Sequence, residues 1–94
     1  MKKSDTYKHI NNALEANDLA KAEVLLQQCS KAETTHDATL YYLKGKLHMK
    51  HSQWGKAMSA FKQSETLDPN GPAKECRLML EDIMAFYNKD MYNQ

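Results

Sequence analysis

Gly45 is the residue that most narrows what this chain can fold into. It lies inside YYLKGKLHMKH, Tyr41 to His51, an apolar stretch patterned as a helix, where glycine costs about 1 kcal/mol against alanine. Such a residue asks for a packing reason, and a second helix brought close against it supplies one. The partner follows in the sequence. Ala57, another small residue, stands among Trp54, Met58 and Phe61, whose bulk fills the space around a close antiparallel contact. Asp68-Pro69-Asn70-Gly71-Pro72 then ends the pattern, since proline disfavours helix in the residue before it.

The remaining chain reads as helices joined by short breaks. Ser4, Asp5 or Thr6 caps a first helix running to about Ala16, with Tyr7, Ile10, Ala13 and Leu14 as its apolar stripe. Asn17 and Asp18 break it, and a second helix follows from Leu19 to Ala32, with Leu19, Ala22, Leu26 and Cys29 on one face. Thr34 to Asp37 forms a linker, and Asp37 suits the cap of a third helix from Ala38 to His51. Ser52 or Gln53 makes the tight break before a fourth helix, Gln53 to Leu67. Pro72 opens a fifth, reaching about Lys89, with Cys76, Met79, Leu80, Ile83, Phe86 and Tyr87 on one broad face and Lys74, Arg77 and Glu81 opposite.

The stretch Tyr41 to Asn70 resembles the tetratricopeptide repeat. Tyr41, Lys44, Gly45, His48, Ala57, Phe61 and Pro69 fall at its spacings. Gly45, Ala57, Phe61 and Pro69 are the pattern's own residues; Tyr41 stands for its tryptophan, His48 for its tyrosine and Lys44 for its leucine. A degenerate copy lies 35 residues earlier, pairing Tyr7 with Tyr42, Ile10 with Gly45, Leu14 with Met49, Ala22 with Ala57 and Leu26 with Phe61. The ending FYNKDMYN, Phe86 to Asn93, is similar to the segment after the last repeat in small bacterial members. The resemblance implies an all-α, right-handed α-solenoid of five helices in one domain, residues 1–94: a degenerate repeat over about 4–36, a clear one over 37–70, and a C-terminal capping helix over 71–92. Such a cap covers the apolar side that a last repeat otherwise exposes.

Composition removes several classes of function. The chain has 94 residues, of which 41% are apolar and 27% charged, enough for one core without metal or disulfide staples. A net charge of +1 provides no global attraction to nucleic acid or an anionic membrane. No stretch approaches bilayer length, and MKKSDTYKHI has no apolar run behind its lysines, so neither a span nor a secretory signal is expected. Cys29 and Cys76 lie outside zinc or C-x-x-C spacing and read as reduced thiols in a cytoplasmic protein. His48 and His51 are three apart, but two histidines make a poor metal site. No phosphate loop, nucleophile elbow or H-E-x-x-H occurs. Neither an enzyme nor a cofactor is expected.

Within the family, the first helix of each pair lines a concave surface that holds extended peptides. Helical spacing then assigns Tyr7, Asn11, Leu14 and Glu15 to that surface from the first helix, and Tyr42, Lys46, Met49 and Lys50 from the third. The fifth helix contributes Cys76, Leu80, Ile83 and Met84. Arg77 joins them because it and Asn11 stand where some relatives grip a C-terminal carboxylate. Tyr7, Leu43 and Ala73 fill the other places of that grip, so the grip itself is not expected. Tyrosines, lysines and methionines together suit a protein or peptide segment of acidic and apolar character. The competing expectation is a homodimer through the fifth helix, which Leu78, Met84, Met91 and Tyr92 leave rather apolar.

Overall fold

The computed structural model describes residues 3–32 and 37–87. Over that range it consists of five helices: α1 Lys3–Glu15, α2 Leu19–Ala32, α3 Ala38–Lys50, α4 Trp54–Leu67 and α5 Ala73–Tyr87. There is no strand among the described residues. Helix α1 begins at Lys3, so Ser4, Asp5 and Thr6 lie within its first turn instead of preceding it. The other expected limits hold to within a residue, while Thr34, the stretch of the fifth helix beyond Tyr87, and Met91 and Tyr92 lie outside the described residues. Helix α1 packs on α2 and α3, α2 on α3, α3 on α4 and α4 on α5.

The breaks are built from specific backbone bonds. Asn17 and Ser52 both adopt positive φ, 61° and 58°. After α1, the Asn17 N–H donates to the Leu14 carbonyl and the Asp18 N–H to the Ala13 carbonyl; after α3, Ser52 donates to Met49 and Gln53 to His48. These are two copies of one Schellman stop, at positions 35 residues apart. The helix starts differ: Asp18 accepts a hydrogen bond from the Lys21 N–H, whereas Gln53 caps nothing with its side chain. Asp37 does cap α3, its carboxylate accepting from the Leu40 N–H at 2.9 Å. The same oxygen accepts from the Tyr7 hydroxyl at 2.9 Å, which ties α1 to the start of α3.

The core has two clusters. One gathers Ile10, Leu14, Ala22 and Leu26 from the first pair with Leu40, Leu43 and Leu47 of α3; the other gathers Ala57, Met58, Phe61, Ala73 and Leu80, and Tyr42 packs against both. A Cβ on Gly45 would stand 2.5 Å from the Phe61 ring, which is the close approach that a glycine in this helix requires. In the first pair the same two positions hold Ile10 and Leu26, both buried; a medium pair replaces the small and large one. Ser64, the buried polar residue of α4, donates its hydroxyl to the Ala38 carbonyl at 2.6 Å.

Helix α5 departs from expectation in register. Its buried Ala73, half-buried Cys76 and buried Leu80 repeat the Leu40, Leu43 and Leu47 face of α3 at an offset of 33 residues, not 35. Met79 and Phe86, expected on the inner face, are therefore exposed, at 47% and 81%. Arg77, expected on the solvent side, lies against α4, where its guanidinium binds Glu65 at 3.1 Å, while Glu81 one turn on in α5 holds it at 3.0 Å. The hydrogen bonds to Glu65, before all else, raise the guanidinium pKa further.

Candidate functional site

The side chains that the sequence assigns to one surface divide into three groups. Leu14 and Leu80 are fully buried and belong to the core, and Met84 is a half-buried member of the second cluster. Arg77 is engaged by its two carboxylates, Glu65 of α4 and Glu81 of α5. Tyr7 spends its hydroxyl on Asp37; burial, reinforced by that bond, drives its pKa far above the usual tyrosine value. These five support the framework. Asn11, Glu15, Tyr42, Lys46, Met49, Lys50, Cys76 and Ile83 remain, and the structure brings most of them together.

Lys46 is the centre of this group. Its ammonium donates to the Asn11 side-chain oxygen at 2.7 Å and lies 5.3 Å from the centroid of the Tyr42 ring, a cation–π distance. Asn11 in turn donates through Nδ2 to Glu15 at 3.3 Å. Tyr42 is itself anchored, its ring 6.2 Å from that of Phe61. Burial, with the neighbouring Cys76 thiol second, raises the Tyr42 pKa; burial likewise raises that of Cys76, against the pull of Tyr42 and Lys46. Both groups therefore hold their protons at neutral pH. Lys46 is thus oriented by neutral partners, and among the described residues neither it nor exposed Lys50 forms an ion pair.

Beside these lysines a cleft of about 260 Å³ opens between α3 and α5. Lys46, Met49 and Lys50 form its α3 side, Trp54 closes one end, and Cys76, Met79 and Ile83 form the α5 side. Trp54 and Met79 are not among the residues that the sequence assigns to this surface. A signal for Met79 does lie in the sequence: the 33-residue offset that pairs Leu47 with Leu80 also pairs Lys46 with Met79 and Lys50 with Ile83. Reading the fifth helix without that register exchanges Met79 for Leu80.

Other depressions are larger but chemically different. A furrow of about 400 Å³ between α2 and α3 mixes Glu23 with Lys31, Lys44 and His48. One of about 530 Å³ between α3 and α4 has Lys44 and Lys56 beside Tyr41, with Gly55, Ser59 and Gln63 as its small and polar wall. His48, considered as a metal ligand, instead pairs through Nδ1 with Gln53 at 2.8 Å. Among the described residues no group of three or more metal-ligating side chains converges, and no helix is long and apolar enough to cross a membrane. The α3–α5 cleft, like the α3–α4 furrow, has two lysines and no carboxylate in its lining, but its walls are methionine, tryptophan and isoleucine where the furrow presents Gly55, Ser59 and Gln63.

No family model matches the chain, and no curated protein does. A solved structure does: the solution NMR structure of the Bacteroides fragilis protein BF1650 is similar with a TM-score of 0.81 and 34% sequence identity, over 100% of this chain and 92% of that one. The chain belongs to the same family as that protein.

Proposed function

We propose that this member of the family is a non-enzymatic, cytoplasmic protein-interaction module of the tetratricopeptide type, which holds an extended segment of a partner protein in the cleft between α3 and α5. The observation that carries this reading is the Lys46 ammonium, fixed by Asn11 and the Tyr42 ring at the edge of an apolar cleft without a carboxylate of its own. A cation held by neutral groups keeps its charge available to an incoming acid. The right-handed solenoid is supported by the matching stops at Asn17 and Ser52 and by the chain of helix contacts from α1 to α5. Polar end faces support it as well. Asp5, Lys8 and Asn12 of α1 stand where α3 has Leu40, Leu43 and Leu47, and Glu75 and Asp82 of α5 stand where α3 has Tyr42 and Met49; all five are exposed. Terminal elements of a stacked array need such faces.

Titrating acidic-apolar peptides into ¹⁵N-labelled protein tests the reading. Amide shifts should gather on the stretch from Lys46 of α3 to Trp54 of α4 and on α5 from Cys76 to Ile83. Lys46→Met should weaken binding severalfold, and the gap to the unsubstituted protein should narrow as salt screens the charge. Shifts confined to the outer furrows would overturn the assignment. Exposed Leu78, Met79 and Phe86 favour a second reading, a homodimer through α5. Sedimentation across a hundredfold concentration range separates the two: a sedimentation coefficient that rises with concentration and is lost in Phe86→Asp supports the dimer.

A further inference from the structure

The cleft is chemically graded from one helix to the next, and this grading points to a pattern in what it takes. At corresponding positions α1 offers Asn11 and Glu15, α3 offers Lys46 and Lys50, and α5 offers Met79 and Ile83. A carboxylate is drawn to α3 and repelled by Glu15 on the α1 side, so the continuation of the segment is directed to α5. There the wall is thioether and aliphatic. A volume of about 260 Å³ is below the roughly 300–1,000 Å³ of cavities that enclose small organic ligands, so it suits one bulky side chain of a longer chain. We infer that the module selects an extended segment in which an aspartate or glutamate and one bulky apolar residue are separated by a single residue.

The spacing follows from the size of the cleft and the rise of an extended chain. Lys46 on the α3 side and Met79 on the α5 side line one space of about 260 Å³, so both groups of a segment that meets them must come from one face of the chain and lie close together. An extended chain rises about 3.3 Å per residue and turns alternate side chains to the same face. Residues two apart therefore present both groups to the cleft about 6.6 Å apart. Adjacent residues face opposite ways, and residues four apart overshoot at about 13 Å. Asn11 is a positioning residue in this scheme: it holds the Lys46 ammonium where the acid arrives, and touches no part of the segment that the cleft buries.

This inference rests on the cleft being the binding surface, and its test separates the two. Trp54 is the chain's one tryptophan and lines the cleft, so its emission reports occupancy directly. Four peptides in one Ser/Ala background would be titrated into the intact protein: Glu-Ala-Leu, Glu-Leu, Glu-Ala-Ala-Ala-Leu and Gln-Ala-Leu. The first should bind at least about fivefold tighter than the others, and Lys46→Met should equalise it with the glutamine peptide. Asn11→Leu should weaken the glutamate peptide while leaving the glutamine peptide unchanged. Equal affinity for all spacings, with Trp54 responding, overturns the pattern and leaves the cleft as the surface. No Trp54 response to any peptide at millimolar concentration overturns both.

Discussion

At Gly45 a methyl group has nowhere to go. Its position is 2.5 Å from Phe61 Cε1 and 2.6 Å from Cδ1, and that ring is itself fully buried, so it cannot swing into solvent. Gly45→Ala gains about 1 kcal/mol of helix propensity but overpacks a fixed ring, at a cost of about 1–3 kcal/mol. Urea melts should show it net destabilising. Combining it with Phe61→Leu, which approaches the Ile10 and Leu26 solution of the first pair, should cost clearly less than the sum of the single changes. A more stable Gly45→Ala single variant would show that the ring has room to yield. This contact was legible because a glycine amid apolar residues at helical spacing weakens the helix unless a neighbour needs the room. The fate of Leu80 was less so: an apolar residue at the right period serves a core and a binding face equally well, and only the register of α5 on α4 decides.

At the scale of an element, the two Schellman stops show where the chain departs from its most stable choice. Ser52 at φ 58° bears the left-handed penalty that glycine avoids. Ser52→Gly should therefore stabilise by a few tenths to about 1 kcal/mol, and Asn17→Gly by less, since asparagine tolerates that conformation better. An unchanged melting midpoint for Ser52→Gly would remove the strain argument. Asp37 carries a heavier role, as one carboxylate oxygen receives both the Leu40 N–H and the Tyr7 hydroxyl. Asp37→Ala should cost more than the roughly 0.5–2 kcal/mol of an ordinary cap. In the Tyr7→Phe background it should cost less, a coupling that a double-mutant cycle measures directly. The cap itself was readable from an aspartate ahead of an apolar helix; its second partner, thirty residues away, was not, because local pattern carries no information on long-range pairing.

For the molecule as a whole, protons held on half-buried groups set its alkaline behaviour. Tyr7, Tyr42 and Cys76 all have raised pKa values, with burial as the first cause. Each keeps its proton in the folded chain at a pH where the unfolded chain has lost it. The unfolded state then binds fewer protons, and stability falls as pH rises. The contribution is whole below about pH 8.5–10, the unperturbed values, and is lost above. Urea midpoints should drop more steeply beyond about pH 10 in the unsubstituted protein than in Tyr7→Phe; parallel curves would take Tyr7 out of the account. One arrangement governs more than stability. Helix α3 touches α1, α2 and α4, while α5 is held mainly through α4, so the molecule has a centre and two rims. Native-state hydrogen exchange should run as a gradient, slowest in α3 and fastest in α5 and α1, with sub-global openings that release α5 first. A segment that grips α3 and α5 together binds only the closed form, and by mass action must slow exchange in α5 far more than in α1. Occupancy would then be readable at the rim, as borrowed rigidity, before any partner is known by name.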